Sequence, residues 1–306
     1  MTKVVLFGAG ASYGAGGIVP ESPPLGADLY AELRRCFPQS WGAMPTRLDT
    51  AFRSPEAPFE AGMEFLWRDA SHVVPELMQQ MALYFAQFRP SRPGGTLYGA
   101  VARALKHADC AEEILLSTLN YDCVLEIALA QHGFQVGYTT FPPSRGSASV
   151  WKLHGSCNFL PTGVWASKGA VTITRGVVFN GPPRFVEPND AIAFCLGDNA
   201  LPPQMCLYMP RKPVQIAPQT LAAQQEAWRD LVAAAEEVII IGVALNAGDA
   251  HLWDALASTE ARLLYVSPDT TPFVKWASEQ RSGRPVQDMA TTFGNAIDDL
   301  LAEITR

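Results

Sequence analysis

The sequence predicts an α/β fold: a doubly wound parallel sheet of the Rossmann type, with helical and loop-rich insertions that form a smaller lobe. Short apolar runs of strand length alternate with segments of helical spacing. The runs at residues 4–7 and 238–241 are continuously apolar, as in strands buried on both faces. Each is followed at once by a glycine, which is typical of a tight turn where backbone approaches a ligand or another loop closely.

The elements follow from these patterns along the chain. Pro75 interrupts the helical spacing of residues 59–88, so two helices are expected there. The other predicted helices cover residues 27–35, 96–107, 124–129, 219–237, 249–258, 271–281 and 292–304. The predicted strands cover residues 4–7, 113–118, 134–139, 150–153, 238–241, 262–266 and 285–289. Strands that alternate with helices indicate a parallel sheet covered on both faces.

We expect one domain over residues 1–306, with two insertions. Residues 59–107 form a helical insertion between the first two strands of the sheet. Prolines accumulate over residues 157–218 and the periodicity degrades, but aromatic and aliphatic residues still recur there. This indicates a loop-rich small lobe rather than a disordered linker, with a short strand at residues 170–179.

Composition excludes several classes of function. The chain has 306 residues, 48% of them hydrophobic, and a formal net charge of −7, so it can bury a large core and is not suited to neutralising nucleic-acid phosphates. Its six cysteines form no Cys-x-x-Cys pair, so no zinc site is expected. No apolar run reaches the ~20 residues of a membrane span, and the first apolar run is better explained as a strand than as a signal peptide. We therefore expect a cytoplasmic protein.

Polar or glycine-rich clusters follow several of the predicted strands. They lie at residues 8–12, 117–122, 154–156 and 242–249. In an open parallel sheet, ligands bind in the crevice beyond the carboxyl ends of the strands. The four clusters are therefore predicted to meet in one crevice.

These clusters resemble, in order, the signature segments of the sirtuin family. The segments are Gly-Ala-Gly-Ala-Ser at residues 8–12, Thr-Leu-Asn-Tyr-Asp at 118–122, Lys-Leu-His-Gly-Ser at 152–156 and Ile-Ile-Ile-Gly at 239–242. The Asn-Tyr-Asp and His-Gly-Ser forms are most similar to the divergent sirtuin-like proteins of bacterial anti-phage systems, many of which hydrolyse NAD. The resemblance implies an NAD glycohydrolase that is latent until defence is triggered.

The resemblance also implies roles for single residues. His154 would be the catalytic histidine, and Asn120 and Asp122 would flank the nicotinamide ribose. Four residues of the first turn would line the NAD phosphates: Gly8, Ala9, Gly10 and Ser12. Gly242 and the segment around Ser267 would hold the adenosine side of NAD. NAD is then the substrate, and a homo-oligomer or a partner protein of a defence system is expected, with residues 59–107 as a contact surface.

The chain departs from the sirtuin pattern at several places. It lacks the two Cys-x-x-Cys pairs of the deacylase zinc ribbon, Leu119 stands where sirtuins have glutamine, and Val243 and Ala244 replace hydroxyl residues. The missing zinc pairs count against an NAD-dependent protein deacylase, which stays open as an alternative. A non-catalytic module that senses NAD or ADP-ribose is the other alternative.

Each candidate residue also has a purely structural explanation. Asp122 stands where a helix N-cap belongs, and His154 could be a hydrogen-bonded histidine at a strand end. Asp249 and His251 could approach the crevice, but a helix cap followed by an exposed histidine is the favoured interpretation. Cys157, close to His154, is expected to be a small buried residue rather than a nucleophile.

Overall fold

The computed structural model describes residues 2–53, 58–209 and 211–306; Pro210, within the predicted small lobe, lies outside the described residues. The strands are β1 (Lys3–Phe7), β2 (Ile18–Val19), β3 (Arg89–Pro90), β4 (Ile114–Thr118), β5 (Gln135–Gly137), β6 (Ser147–Lys152), β7 (Phe159–Leu160), β8 (Arg184–Phe185), β9 (Glu237–Ile241), β10 (Arg262–Ser267) and β11 (Val286–Ala290). The helices are α1 (Ala9–Gly14), α2 (Gly26–Cys36), α3 (Thr46–Ala51), α4 (Pro58–Asp69), α5 (Val74–Ala86), α6 (Leu97–Ala108), α7 (Val124–Gln131), α8 (Pro188–Leu196), α9 (Pro218–Ala234), α10 (Ala250–Ser258), α11 (Thr271–Gln280) and α12 (Ile297–Thr305).

The main sheet has seven strands in the order β11-β10-β9-β1-β4-β6-β5, and every neighbouring pair is parallel. The predicted fold class, a doubly wound parallel sheet, is confirmed. From β1 the chain proceeds to β4 and β6 on one side, and from β9 it proceeds to β10 and β11 on the other. The direction of winding therefore changes between β1 and β9, which is the point where open α/β sheets bind ligands.

The central strands are buried on both faces, which explains their continuous apolar runs. Every residue of β1 and β9 is buried. Val5 and Phe7 contribute to the core on one face of the sheet, whereas Val4 and Leu6 contribute to the core on the other. This alternation is the two-residue period of a strand. The edge strand β11 is mostly exposed, in keeping with its polar sequence.

Several predicted helices are confirmed with small shifts of their ends. Pro75 lies in the first turn of α5, so residues 59–88 do form two helices, separated by a turn. Thr96 caps α6, since its hydroxyl oxygen accepts a hydrogen bond from the backbone nitrogen of Gly99 at 3.1 Å. None of the described helices combines the length and the apolar character needed to cross a membrane.

The predictions fail mainly in the small lobe and at short helices. Residues 170–179, all of which the structure describes, contain no strand; Phe179 makes only an isolated bridge to Ile216. Helix α8 was not predicted, because it buries only the small residues Ala191 and Cys195 and so shows little apolar periodicity. The last helix begins at Ile297 rather than at residue 292. Helices α1 and α3 are too short, at six residues each, for a helical period to be visible.

Candidate active site

Two glycine turns pack directly against each other at the carboxyl ends of β1 and β9. The backbone nitrogen of Gly10 donates to the carbonyl of Gly242 at 2.9 Å, and Gly8 donates to the carbonyl of Ile241 at 2.9 Å. A Cβ on Gly8 would lie 2.5 Å from the Gly242 carbonyl oxygen, and one on Gly242 would lie 2.3 Å from the backbone nitrogen of Ala11. Glycine is therefore required here by the contact between the two turns.

A cleft of about 470 Å³ opens above these turns. This volume is within the range of ligand pockets, which is about 300–1,000 Å³. The predicted site residues that line the cleft are Gly8, Ala9, Gly10, Asn120, His154, Gly242 and Ser267. Ser12 and Asp122 line a small adjoining cavity of about 50 Å³, which Ala9 and Asn120 also border. The structure thus brings all of the predicted site residues together, and their roles stay predictions.

Asn120 is held in one orientation by its neighbours. It is buried, and its side-chain nitrogen Nδ2 donates to the carbonyl oxygen of Gly8 and to the hydroxyl oxygen of Ser12, both at 2.9 Å. Its backbone nitrogen donates to the hydroxyl of Thr118 at 3.0 Å. With both hydrogens of Nδ2 engaged, Oδ1 is the atom that can accept a hydrogen bond from a ligand.

The hydroxyl of Ser12 lies between two buried side chains. It is 2.9 Å from the hydroxyl of Tyr98 and accepts the hydrogen bond from Asn120. The sequence predicts that Ser12 contacts an NAD phosphate. In the structure its hydroxyl is instead hydrogen-bonded to Tyr98 and Asn120, and so helps to orient the side chain of Asn120. A phosphate contact by this residue remains a prediction.

Asp122 precedes helix α7 and is buried. Its Oδ1 accepts a hydrogen bond from the backbone nitrogen of Val124 at 3.0 Å, so it contacts the first residue of the helix. The N-cap position itself is held by Cys123, so the predicted cap was wrong by one residue. Its backbone carbonyl accepts a hydrogen bond from Nζ of Lys152, a fully buried lysine of β6. Cys157 is also buried, with its Sγ 3.6 Å from Sγ of Cys123, in agreement with the structural interpretation.

Lys152 is paired with a carboxylate inside the fold. Its Nζ lies 2.9 Å from Oε1 of Glu126 on α7, and both side chains are almost fully buried. Burial alone would lower the pKa of Lys152, but the acidic groups around it, with Glu126 first among them, together outweigh burial and raise that pKa above its ordinary value. The ammonium therefore stays charged and ties β6 to the segment that follows β4.

His154, at the end of β6, faces a carboxylate on the opposite side of the cleft. Its Nε2 is 3.1 Å from Oδ1 of Asp249, and Nζ of Lys212 is 3.2 Å from the same oxygen. The imidazole and the carboxylate are close enough for an ion pair but are not aligned for a hydrogen bond. The ring of His251 lies beside that of His154, with centroids 5.6 Å apart.

Burial and charge shift the pKa values of this group. Burial lowers the pKa of His154 below its ordinary value, and the Asp249 carboxylate offsets only part of this effect. Burial by itself would raise the pKa of Asp249, but its interactions with His154 first, and with Lys212 after it, bring that pKa down to about 2. At neutral pH the site therefore holds a neutral imidazole and a carboxylate, with the side-chain nitrogen of Lys212 beside them.

Three residues of this group, Asp249, His251 and Lys212, were not selected as site residues from the sequence. Asp249 was expected to cap α10, but its side chain makes no capping hydrogen bond and points to His154; His251 is partly buried rather than exposed. Lys212 comes from the irregular lobe, where no pattern predicts which side chain reaches the cleft. The Asp-x-His spacing at residues 249–251, next to the glycine turn, is the one signal that could have found Asp249.

Comparisons with known proteins give the following result. No protein-family model matches the chain, and no curated protein matches it in sequence. Two solved structures, both of Sir2 homologue mutants in complex with ADP-ribose, align with 99% of this chain and 91% of theirs. Sequence identity is 15% and 14%, with TM-scores of 0.48 and 0.47. The sheet topology described above, rather than these alignments, establishes the fold class.

Proposed function

We propose that the protein cleaves NAD with water to nicotinamide and ADP-ribose. The observation that carries the proposal is the convergence of Asn120, His154 and the two glycine turns on one cleft at the winding reversal of the sheet. A neutral imidazole and an oriented amide oxygen at the same cleft supply the groups that such a hydrolysis uses.

The reaction breaks the bond between the nicotinamide nitrogen and C1′ of the ribose. The bonding electron pair leaves with nicotinamide. Its ring is cationic in NAD and becomes neutral on leaving, so no general acid is needed to protonate it. The transition state resembles an oxocarbenium ion, as in other glycosyl cleavages. Water then bonds to C1′ and loses one proton, and this proton is the only one that the protein must accept.

Asn120 and His154 have different roles in this reaction: Asn120 would contact the water or the ribose, and His154 would accept the proton. Oδ1 of Asn120 accepts a hydrogen bond from the water or a ribose hydroxyl and places partial negative charge near the sugar cation. The negative charge of Asp249, 3.1 Å from Nε2 of His154, favours the tautomer with its proton on that nitrogen, so Nδ1 would be the proton acceptor. Asp122, in the adjoining small cavity, would orient the nicotinamide carboxamide or its neighbours.

The remainder of NAD would lie along the glycine turns toward β10. All five residues predicted to contact this part of NAD border the cleft. In this pose Gly8, Ala9 and Gly10 would face the diphosphate, and Gly242 and Ser267 would face the adenosine. The backbone nitrogens of Gly8 and Gly10 already donate to carbonyl oxygens, so these two glycines give room rather than hydrogen bonds. The ammonium of Lys212 supplies positive charge to the same cleft, in favour of an anionic ligand.

The test is release of nicotinamide from NAD by the purified chain, followed by chromatography. We expect His154→Ala and Asn120→Ala to lower the rate at least 100-fold, because each removes a group that acts on the water or the sugar. Lys275→Ala, at an exposed position of α11 outside the cleft and outside residues 59–107, is the control and should leave the rate unchanged. Undiminished release by folded His154→Ala would contradict the site assignment, and release that requires an acetylated peptide would favour a deacylase.

The resemblance of the sequence supports a wider proposal for the biological role. We propose that the chain is a latent effector of anti-phage defence that works as a homo-oligomer or with a partner protein, through the helices of residues 59–107. Charge-reversing substitutions on the exposed faces of α4 and α5 should then reduce the particle size in size-exclusion chromatography. Loss of protection against phage in cells that carry His154→Ala would link the defence role to the cleft.

A further inference from the structure

Three potential metal ligands converge at one end of the cleft. His154, Asp249 and His251 each offer a ligand atom, and these atoms all lie within 4.8 Å of one another. Nε2 of His154 and Nε2 of His251 are buried, and neither makes a hydrogen bond within the described part of the chain. Oδ1 of Asp249 is buried between them and has only the ion-pair contacts with Lys212 and His154. Buried polar atoms normally have partners, so two unsatisfied imidazole nitrogens beside one carboxylate indicate a common partner.

The donor set indicates what this partner is. Two imidazole nitrogens and one carboxylate oxygen are ligands that suit zinc and the neighbouring divalent transition metals. Nε2 of His154 and Oδ1 of Asp249 are 3.1 Å apart, close to the separation of about 3.3 Å between two ligands of a tetrahedral zinc ion at bond lengths of about 2.0–2.1 Å. We propose that His154, Asp249 and His251 bind one such ion, with a fourth position open toward the cleft.

The absence of paired cysteines does not bear on this site. The sequence argument against zinc concerned ribbons of the Cys-x-x-Cys type, whereas the present ligands come from the end of β6 and the beginning of α10. His251 lies two residues after Asp249, so both are carried by the same rigid segment, next to the glycine turn that follows β9. The sheet topology alone brings His154 to them across the winding reversal.

Lys212 is a built-in competitor of the metal ion. Its Nζ lies 3.2 Å from Oδ1 of Asp249, the atom assigned as a ligand. Its side chain is mostly buried, so its ammonium supplies the positive charge that the carboxylate needs when no metal ion is bound. A metal ion must displace this ammonium, and removal of Lys212 should therefore strengthen metal binding.

Metal binding would switch off the proposed hydrolysis. An ion on Nε2 of His154 fixes the ring proton on Nδ1, so the nitrogen assigned as the proton acceptor becomes a donor. This consequence depends on the proposed function, whereas the metal site itself does not. Inhibition of nicotinamide release by metal should track occupancy of the site.

The experiment titrates Zn²⁺ into the full chain by calorimetry and follows Co²⁺ by visible absorption. We expect one ion per chain, at least tenfold weaker binding in His251→Asn, and at least threefold tighter binding in Lys212→Met. His107→Asn and His72→Asn, at exposed positions, are the matched controls and should bind as the original chain does. Circular dichroism of each variant shows that the fold is retained.

Two results would overturn the proposal. One is equal affinity in the original chain and in His251→Asn, which would assign any bound ion elsewhere. The other is a Co²⁺ spectrum with thiolate charge-transfer bands, which would indicate cysteine ligands. Metal binding with the expected pattern in a chain that releases no nicotinamide even when it is free of metal would uphold the metal site and count against the hydrolase.

Discussion

At the scale of single residues, the orientation of Asn120 depends on one serine hydroxyl. Ser12 accepts one of the two hydrogen bonds that fix the side-chain amide, and Tyr98 in turn fixes the hydroxyl of Ser12. This chain of contacts is buried, so water does not substitute freely for a lost partner. Ser12 is therefore a positioning residue for the amide rather than a group that touches the reacting bond.

Ser12→Ala should consequently act on turnover more than on binding. We expect kcat for nicotinamide release to fall about 10- to 100-fold, because a small misplacement of an acting group has effects of this size, while KM changes little. Steady-state kinetics measures both constants. Ser278→Ala, on the exposed face of α11, is the control. Equal loss in both variants would show that the effect is not specific to Asn120.

The individual residues of the site differ in how far the sequence could predict them. Asn120 and His154 were selected because each follows an apolar strand, and parallel topology brings strand ends together. The side-chain direction of Asp249 depends on how the turn after β9 packs, and the position of Lys212 depends on an aperiodic lobe. No local pattern of the sequence therefore predicts the direction of the Asp249 side chain or the position of Lys212.

At the scale of elements, the two glycine turns act as one joint between β1 and β9. Gly242 has a φ of +64°, and a Cβ on it would lie 2.3 Å from the backbone nitrogen of Ala11 and 2.6 Å from the carbonyl carbon of Gly10. The contact between the two glycine turns fixes their separation, and so fixes the position of the backbone that lines the cleft. A side chain here would have to push the turns apart.

Gly242→Ala should therefore lower the free energy of unfolding by about 3 kcal/mol or more, since backbone strain and a clash with fixed backbone atoms add. Gly283→Ala is the matched control: its φ is +82°, but nothing lies within 4 Å of the added Cβ. It should cost about 1–2 kcal/mol, from strain alone. Urea denaturation compares the two. Equal losses would mean that the turns can separate without cost.

Sequence reasoning succeeded best with long, strongly periodic elements. The buried strands and α2, α5 and α9 were predicted because burial of one face leaves a visible pattern. In contrast, α8 buries only small residues, and the expected strand at residues 170–179 is replaced by irregular backbone before Pro182 and Pro183. Packing against the rest of the fold, rather than local preference, decides the structure of such segments.

At the scale of the whole molecule, the cleft is built from distant parts of the chain. Its lining includes the first turn of the sheet, the segment after β4, the end of β6, the lobe residue Lys212 and residues as late as Phe293. A ligand that fills it contacts all of these parts in the folded state and none in the unfolded state. Ligand binding should therefore stabilise the protein globally.

We expect ADP-ribose at 100 times its Kd to raise the Tm by roughly 5 °C, from about 2.7 kcal/mol of linkage energy. Ala244→Trp, which places a large side chain in the cleft, should abolish the shift. Ala222→Trp, at an exposed position of α9 away from the cleft, should keep it. Differential scanning calorimetry measures both. An equal shift in the two variants would locate the ligand elsewhere.

The buried pair of Lys152 and Glu126 has a consequence for motion. Nζ of Lys152 also donates a hydrogen bond to the backbone carbonyl of Asp122. Strand β6, which leads to His154, is therefore linked directly to the segment after β4, which carries Asn120. If only one of the two segments unfolded locally, a buried charge would lose its partner, which costs free energy. Local unfolding of one segment without the other is therefore unfavourable. The two segments should therefore exchange their amide hydrogens as a single cooperative unit, which would keep the distance between the amide of Asn120 and the imidazole of His154 constant.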